Sequence, residues 1–188
     1  MSAEWVTALA TLGTFLVIAA SAIAALIQLR HMRGSNQIAA LTEFRETMES
    51  DKFQEAQAFV SFELPKRLKD PVERVKAARL PPTGDYRAIT TVANMFEALG
   101  GLVKSGVIDG DVACDVVALI VVRNWDAMLP LTTYIRHKLG LPALWENFEY
   151  LALLSKRFKE RHPSGAYPRN EPRLPEDDSL IRALGEGS

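Results

Sequence analysis

The sequence predicts an all-α protein, with one N-terminal transmembrane helix followed by a small helical bundle. Three observations carry that expectation. The chain opens on a long run without formal charge, from Trp5 to Ile27. Beyond it, apolar residues recur at spacings of three and four through several segments. Between those segments stand residues that stop and start helices, glycine and proline on one side and aspartate on the other.

The uncharged run reaches roughly 35 Å as a helix, enough to cross a hydrocarbon core about 30 Å thick with some tilt. Trp5 sits where an interfacial aromatic belongs. Gln28, Arg30, His31 and Arg33 mark the exit into water. The competing expectations are a cleaved signal peptide and a helix buried in a soluble core. Against the first, Glu4 stands where a signal peptide carries basic residues, and the apolar run exceeds the usual ~7–15 residues. The basic flank lies only on the C-terminal side. By the positive-inside rule the N-terminus is expected outside and the remainder in the cytoplasm, in the inner membrane of a cell.

Within the run, Thr7, Thr14, Ser21 and Gln28 recur every seven residues, and Thr11 and Ala25 join the same stripe. Small and hydroxylated side chains allow close helix approach in a bilayer. The stripe is therefore expected to meet another membrane helix, from a second copy or a different protein. The plainer alternative is that these hydroxyls bond their own backbone.

The averages over all 188 residues, 48% apolar with a net charge of −1, conceal this uneven distribution. The near-neutral balance gives no reason to expect bulk nucleic-acid binding, which wants a basic face, so no nucleic-acid partner is expected. The single cysteine, Cys114, forms no internal disulfide. It stands beside Asp115, with no nearby cation in sequence to activate it, and is expected to be a small buried residue.

Past residue 33 the expected domain covers residues 34–162. The first helix spans about residues 37–62, with Ile38, Leu41, Phe44 and Met48 as its apolar stripe. Gly34, Ser35 and Asn36 break or merely bend the link to the membrane helix, and Pro65 ends the segment or begins a connection. Asp70-Pro71 opens a short helix through Arg79. Asp85 is expected to cap a helix whose stripe is Ile89, Val92, Phe96, Leu99 and Val103. Gly106 then stops that helix, and Asp109 starts one to about Met128. Residues 116–122 are apolar on every side, which predicts a central buried helix. Pro130 kinks or restarts the chain before a short helix over 131–139, closed by Gly140. A last helix spans 143–161. Residues 163–188 form a polar, proline-rich and glycine-rich tail, expected to be flexible, with one amphipathic turn at Leu180, Ile181 and Leu184.

Three polar groups lie on these helices: Asn94 with Glu97, Arg123 with Trp125 and Asp126, and Trp145, Glu146, Asn147, Glu149 and Tyr150. Carboxylates beside an arginine and two indoles would suit a polar ligand or acid–base work. Asn94, Glu97, Arg123, Trp125 and Glu149 are the candidate ligand-binding set. The alternative is a satisfied network that fixes helix register. No metal or cofactor site is expected. His31, His137 and His162 stand singly, and Asp109, Asp111 and Asp115 lack the spacing of a calcium loop. No phosphate-binding loop or nucleophile elbow is present, and no catalytic role is expected.

The same residues carry a resemblance. The segment Val92-Ala93-Asn94-Met95-Phe96-Glu97-Ala98-Leu99-Gly100, then Gly106-Val107-Ile108-Asp109, Trp125, and Trp145-Glu146-Asn147-Phe148-Glu149-Tyr150-Leu151 resemble a family of small bacterial proteins of unknown function. The resemblance implies one N-terminal membrane helix followed by a helical domain. It makes Asn94, Glu97, Trp125 and Glu149 signature positions, and it implies no activity. The functional expectation is a non-enzymatic, membrane-anchored accessory or scaffold protein presenting its domain to a protein partner. The alternatives are a membrane-tethered ligand sensor or enzyme using the polar set, and a membrane-perturbing effector.

Overall fold

The computed structural model describes residues 3–168, 170–175 and 177–179. The amphipathic turn expected at Leu180, Ile181 and Leu184 lies outside the described residues, as do the side chains of Arg30, His31 and Arg33. The described residues are helical with no strand, which bears out the all-α expectation.

Helix α1 spans Ala3–Glu49 without interruption. Its first part, Ala3–Leu29, is long and apolar enough to cross a membrane, and none of it is buried against the rest of the protein. The helix is not broken at residues 34–36. Isolated glycine costs about 1 kcal/mol in a helix, too little to outweigh the hydrogen-bonded turns on either side. The chain turns instead at Ser50, whose backbone is extended and whose hydroxyl accepts from Phe53 N–H, capping α2 (Asp51–Ala58). The Gln54 amide donates to Met48 C=O at 2.6 Å and braces the corner.

A π-helical turn, Phe59–Glu63, joins α2 to the one-turn helix α3 (Leu64–Arg67). Pro65 therefore does not end the segment. It occupies the first turn of α3, where its missing N–H is harmless. Asp70 caps α4 (Pro71–Ala77) by accepting from Val72 N–H at 2.8 Å, as expected. Asp85 does not cap the following helix. It lies inside a 3-10 turn, Gly84–Tyr86, and binds Arg67 at 3.0 Å, tying α3 to the start of α5 (Arg87–Lys104).

Helix α5 buries the stripe anticipated for it, with Ala93 and Gly100 added. Gly106, at φ 72°, reverses the chain, and Val107 and Ile108 N–H both donate to Leu102 C=O. Asp109 then caps α6 (Gly110–Leu139) by accepting from Asp111 and Val112 N–H. Pro130 neither ends nor restarts α6, which passes through it as one helix. The residues around it, Met128, Leu131, Thr132 and Ile135, are buried and hold both flanks in place. Gly140, left-handed at φ 65°, closes the helix. The last helix begins later than expected: α7 spans Glu146–Arg161, preceded by Trp145 in the left-handed region at φ 56°.

Helices α5, α6 and α7 form the bundle, with α2 laid against α5. Its centre is a chain of rings. Phe96 stacks on Phe148 at 5.1 Å, Phe53 meets Phe96 edge-on at 6.0 Å, and Trp125 meets Phe148 edge-on at 5.0 Å. Phe44 of α1 reaches Phe96 at 6.4 Å. Beyond Leu29, α1 leans on this core through partly buried residues, Ala40, Leu41, Phe44 and Met48 among those described. The consequence falls on α6. Residues 116–122 are not enclosed: Val116 is 65% and Leu119 59% exposed, while Val117 and Val121 are buried. No helix of the described chain covers that outer face.

Candidate functional site

The polar residues singled out from the sequence converge in part, at the junction of α5, α6 and α7. Helix α7 starts without a capping side chain of its own, because Trp145 precedes it in a left-handed conformation. The acceptor comes from another helix. Glu97 Oε2 on α5 accepts from Phe148 N–H at 2.9 Å, and its Oε1 accepts from the Asn147 amide at 2.9 Å. A helix N-terminus presents unpaired N–H groups and a partial positive charge, so a carboxylate there satisfies both. One turn earlier, Asn94 Oδ1 accepts from the Trp145 indole N–H at 3.2 Å. The two α5 residues thus hold the start of α7 at two adjacent points.

The helices approach closely here. A Cβ placed on Gly100 would lie 2.1 Å from Asn147 O, so only glycine permits the approach. On the other side Arg136, near the end of α6, donates from Nε and Nη2 to Leu144 C=O at 2.9 and 2.7 Å. Its Nη1 donates to Glu149 at 2.7 Å, and the guanidinium stands 5.9 Å from the Trp125 ring centre. Trp125 is 4% exposed and belongs to the ring chain of the core. Arg123 points away from all of these: it is exposed and makes no described hydrogen bond or ion pair.

The candidate set therefore divides into three. Asn94 and Glu97 meet the start of α7, Trp125 and Glu149 share Arg136, and Arg123 is separate. Both oxygens of Glu97 are engaged in holding α7. Gly100, Arg136, Trp145 and Asn147 complete the joint and were not in the predicted set. The pairing of Gly100 with Gly101 was visible in sequence. Arg136 carried no signal, since its main partner is a backbone carbonyl.

Cavities open elsewhere. A groove of about 460 Å³ runs between α1 and α6, lined by Ile38, Leu41, Phe44, Met48 and Val116 among others. Ile38 is 68% exposed in it, and Arg45 and Glu49 pair on its rim at 2.7 Å. A second cavity, about 770 Å³, lies between Gly34 and Gln37 of α1 and the turn that joins α5 to α6. Among the described residues no three His, Cys, Asp or Glu side chains converge as a metal site. Cys114 is buried 3.8 Å from Ser155 Oγ, and burial pushes its thiol above the ordinary range.

On α1, Thr7 and Thr11 donate to the carbonyls four residues back, Ala3 and Thr7. The other members of the stripe, Thr14, Ser21, Ala25 and Gln28, are exposed along the same helix.

A protein-family comparison matches residues 15–155 to a domain of unknown function, DUF4760. The chain belongs to that family. The DUF4760 match begins inside the apolar part of α1 and ends in α7, so it takes in the whole joint from Asn94 to Glu149. No curated protein and no solved structure matches.

Proposed function

We propose that this DUF4760 protein is a non-enzymatic, single-pass accessory or scaffold protein of the cytoplasmic membrane. Its N-terminus lies outside and its helical domain in the cytosol. The domain holds a neighbouring membrane protein through that protein's juxtamembrane helix. The observation that carries the reading is the groove between α1 and α6. It is apolar, it opens to solvent, and it is built on the helix that leaves the membrane. Ile38 stands nine residues past Leu29, which places the groove's lower end about 13 Å beyond the span. A partner anchored in the same bilayer presents its own helix at that height, and an amphipathic helix in an apolar groove is a recurrent recognition mode.

The polar joint supports the same reading from the opposite direction. Its carboxylate and amides are spent on holding α7, which leaves the apolar surfaces to meet other molecules. Photo-crosslinking in native membranes tests the proposal, with the reactive residue placed at Ile38, at Val116, or at Val72 on α4 as a control. A discrete adduct to one membrane protein from Ile38 and Val116, and none from Val72, is the expected outcome. Equal or absent labelling at all three positions would overturn it.

A further inference from the structure

We propose that the turn between α5 and α6, residues 105–109, is a second membrane contact that seats the domain on the lipid headgroups beside its own anchor. The inference rests on the reading of Ala3–Leu29 as a span, and it adds a surface that the anchor alone does not require.

The argument is one of height. Helix α1 is continuous from the span into the domain, so distance along it measures distance from the hydrocarbon. Gly34 and Gln37 are five and eight residues past Leu29, which is roughly 8–12 Å. The headgroup layer on each side of a bilayer is itself about 5–8 Å deep. Gly34 and Gln37 share their cavity with Ser105, Gly106, Val107, Ile108 and Asp109. The turn therefore sits level with the outer edge of the headgroups, and any tilt of α1 toward it lowers it further.

The chemistry of the turn fits that position. Gly106 adopts φ 72° and throws the chain outward, and the next residue, Val107, is 42% exposed while Ile108 is fully buried. The neighbouring carboxylates are already engaged: Asp109 by the N–H groups it caps, and Asp111 by Arg161 at 2.6 Å. The Lys104 ammonium is drawn toward α7, 3.2 Å from Glu146. What the turn presents outward is the apolar side chain of Val107 between the polar Ser105 and Asp109, with the N–H groups of residues 105–108 already bonded inward, an arrangement suited to the headgroup layer.

The test places a polarity-sensitive fluorophore at single cysteines in the full chain carrying Cys114→Ala, reconstituted in phosphatidylcholine vesicles. The labels go on Val107→Cys, on Leu26→Cys within the span, and on Val72→Cys at a distance. The expected result is blue-shifted emission at positions 26 and 107. Quenching by nitroxide lipids should be several-fold stronger at both than at 72. A shielded label at 26 with a label at 107 as wet as that at 72 would sink the seat and leave the anchor standing. Wet labels at both 26 and 107 would remove the anchor, and the seat with it.

Discussion

The joint of α5, α6 and α7 and helix α1 are built in opposite ways. In the joint, polar side chains cross from one helix to another: Glu97 and Asn94 reach residues of the α7 start more than fifty positions away in the chain. On α1 the polar side chains turn back on their own helix. Thr7, Thr11, Thr42 and Thr47 all donate to the carbonyl four residues earlier, and Arg45 pairs with Glu49 one turn on. A hydrogen bond between elements fixes their relative position, while one within an element fixes nothing beyond it. The joint is thus over-determined, and α1 meets the bundle through a few half-buried apolar contacts with open space beside them.

The contrast makes quantitative demands. The largest effect is expected at Gly100. Alanine there cannot coexist with Asn147 O at its present distance, so α5 and α7 must separate, and Gly100→Ala should cost about 3 kcal/mol. Urea unfolding followed by circular dichroism in mild detergent measures it. A loss below about 1 kcal/mol would mean that the helices part easily and that the joint is not the rigid element.

Glu97→Ala comes next. It strips the acceptor from Phe148 N–H and from the Asn147 amide, and an unsatisfied donor at that depth should cost about 2 kcal/mol. Glu97→Gln keeps one acceptor oxygen and should lose less. Equal losses from the two variants would show that charge at the start of α7, and not hydrogen bonding, carries the effect.

The smallest effect belongs to the other region. Ile38→Ser with Val116→Ser, both at exposed positions, should change the stability of the isolated protein by under about 0.5 kcal/mol. The same pair should weaken crosslinking to a membrane partner. A large loss of stability would place these residues in the fold's own core and remove the distinction between the two regions.

Much of the fold was legible because its signals are local. Gly106, Asp109 and Gly140 act through the backbone conformation or the N–H groups within three residues of them, and each sits where the sequence places it. Asp85 was misplaced because its partner, Arg67, is eighteen residues away and competes with the local cap. Pro130 reads as a kink or a restart, and buried residues on both sides hold the helix together across the missing hydrogen bond, so no restart occurs. The seven apolar positions 116–122 read as a buried centre, because composition does not reveal that α1 leaves one side of α6 bare. In the site, Asn94 and Glu97 stood out as polar groups on a core-facing stripe. What they hold, the α7 start that a left-handed Trp145 leaves uncapped, depends on a backbone property no side-chain pattern displays.

The uninterrupted α1 has a mechanical consequence. The helix passes through Gly34, so Ala3–Leu29 and the arm that follows it form one continuous helix of about 70 Å. The arm from Leu29 to Glu49 is roughly 30 Å long, and tilting the rod by 10° swings its far end about 5 Å. In the proposed membrane-anchored arrangement, a bilayer that thins or thickens would move the groove against whatever occupies it. In that arrangement the anchor would work as a lever, converting the dimensions of the membrane into a displacement at the proposed binding surface.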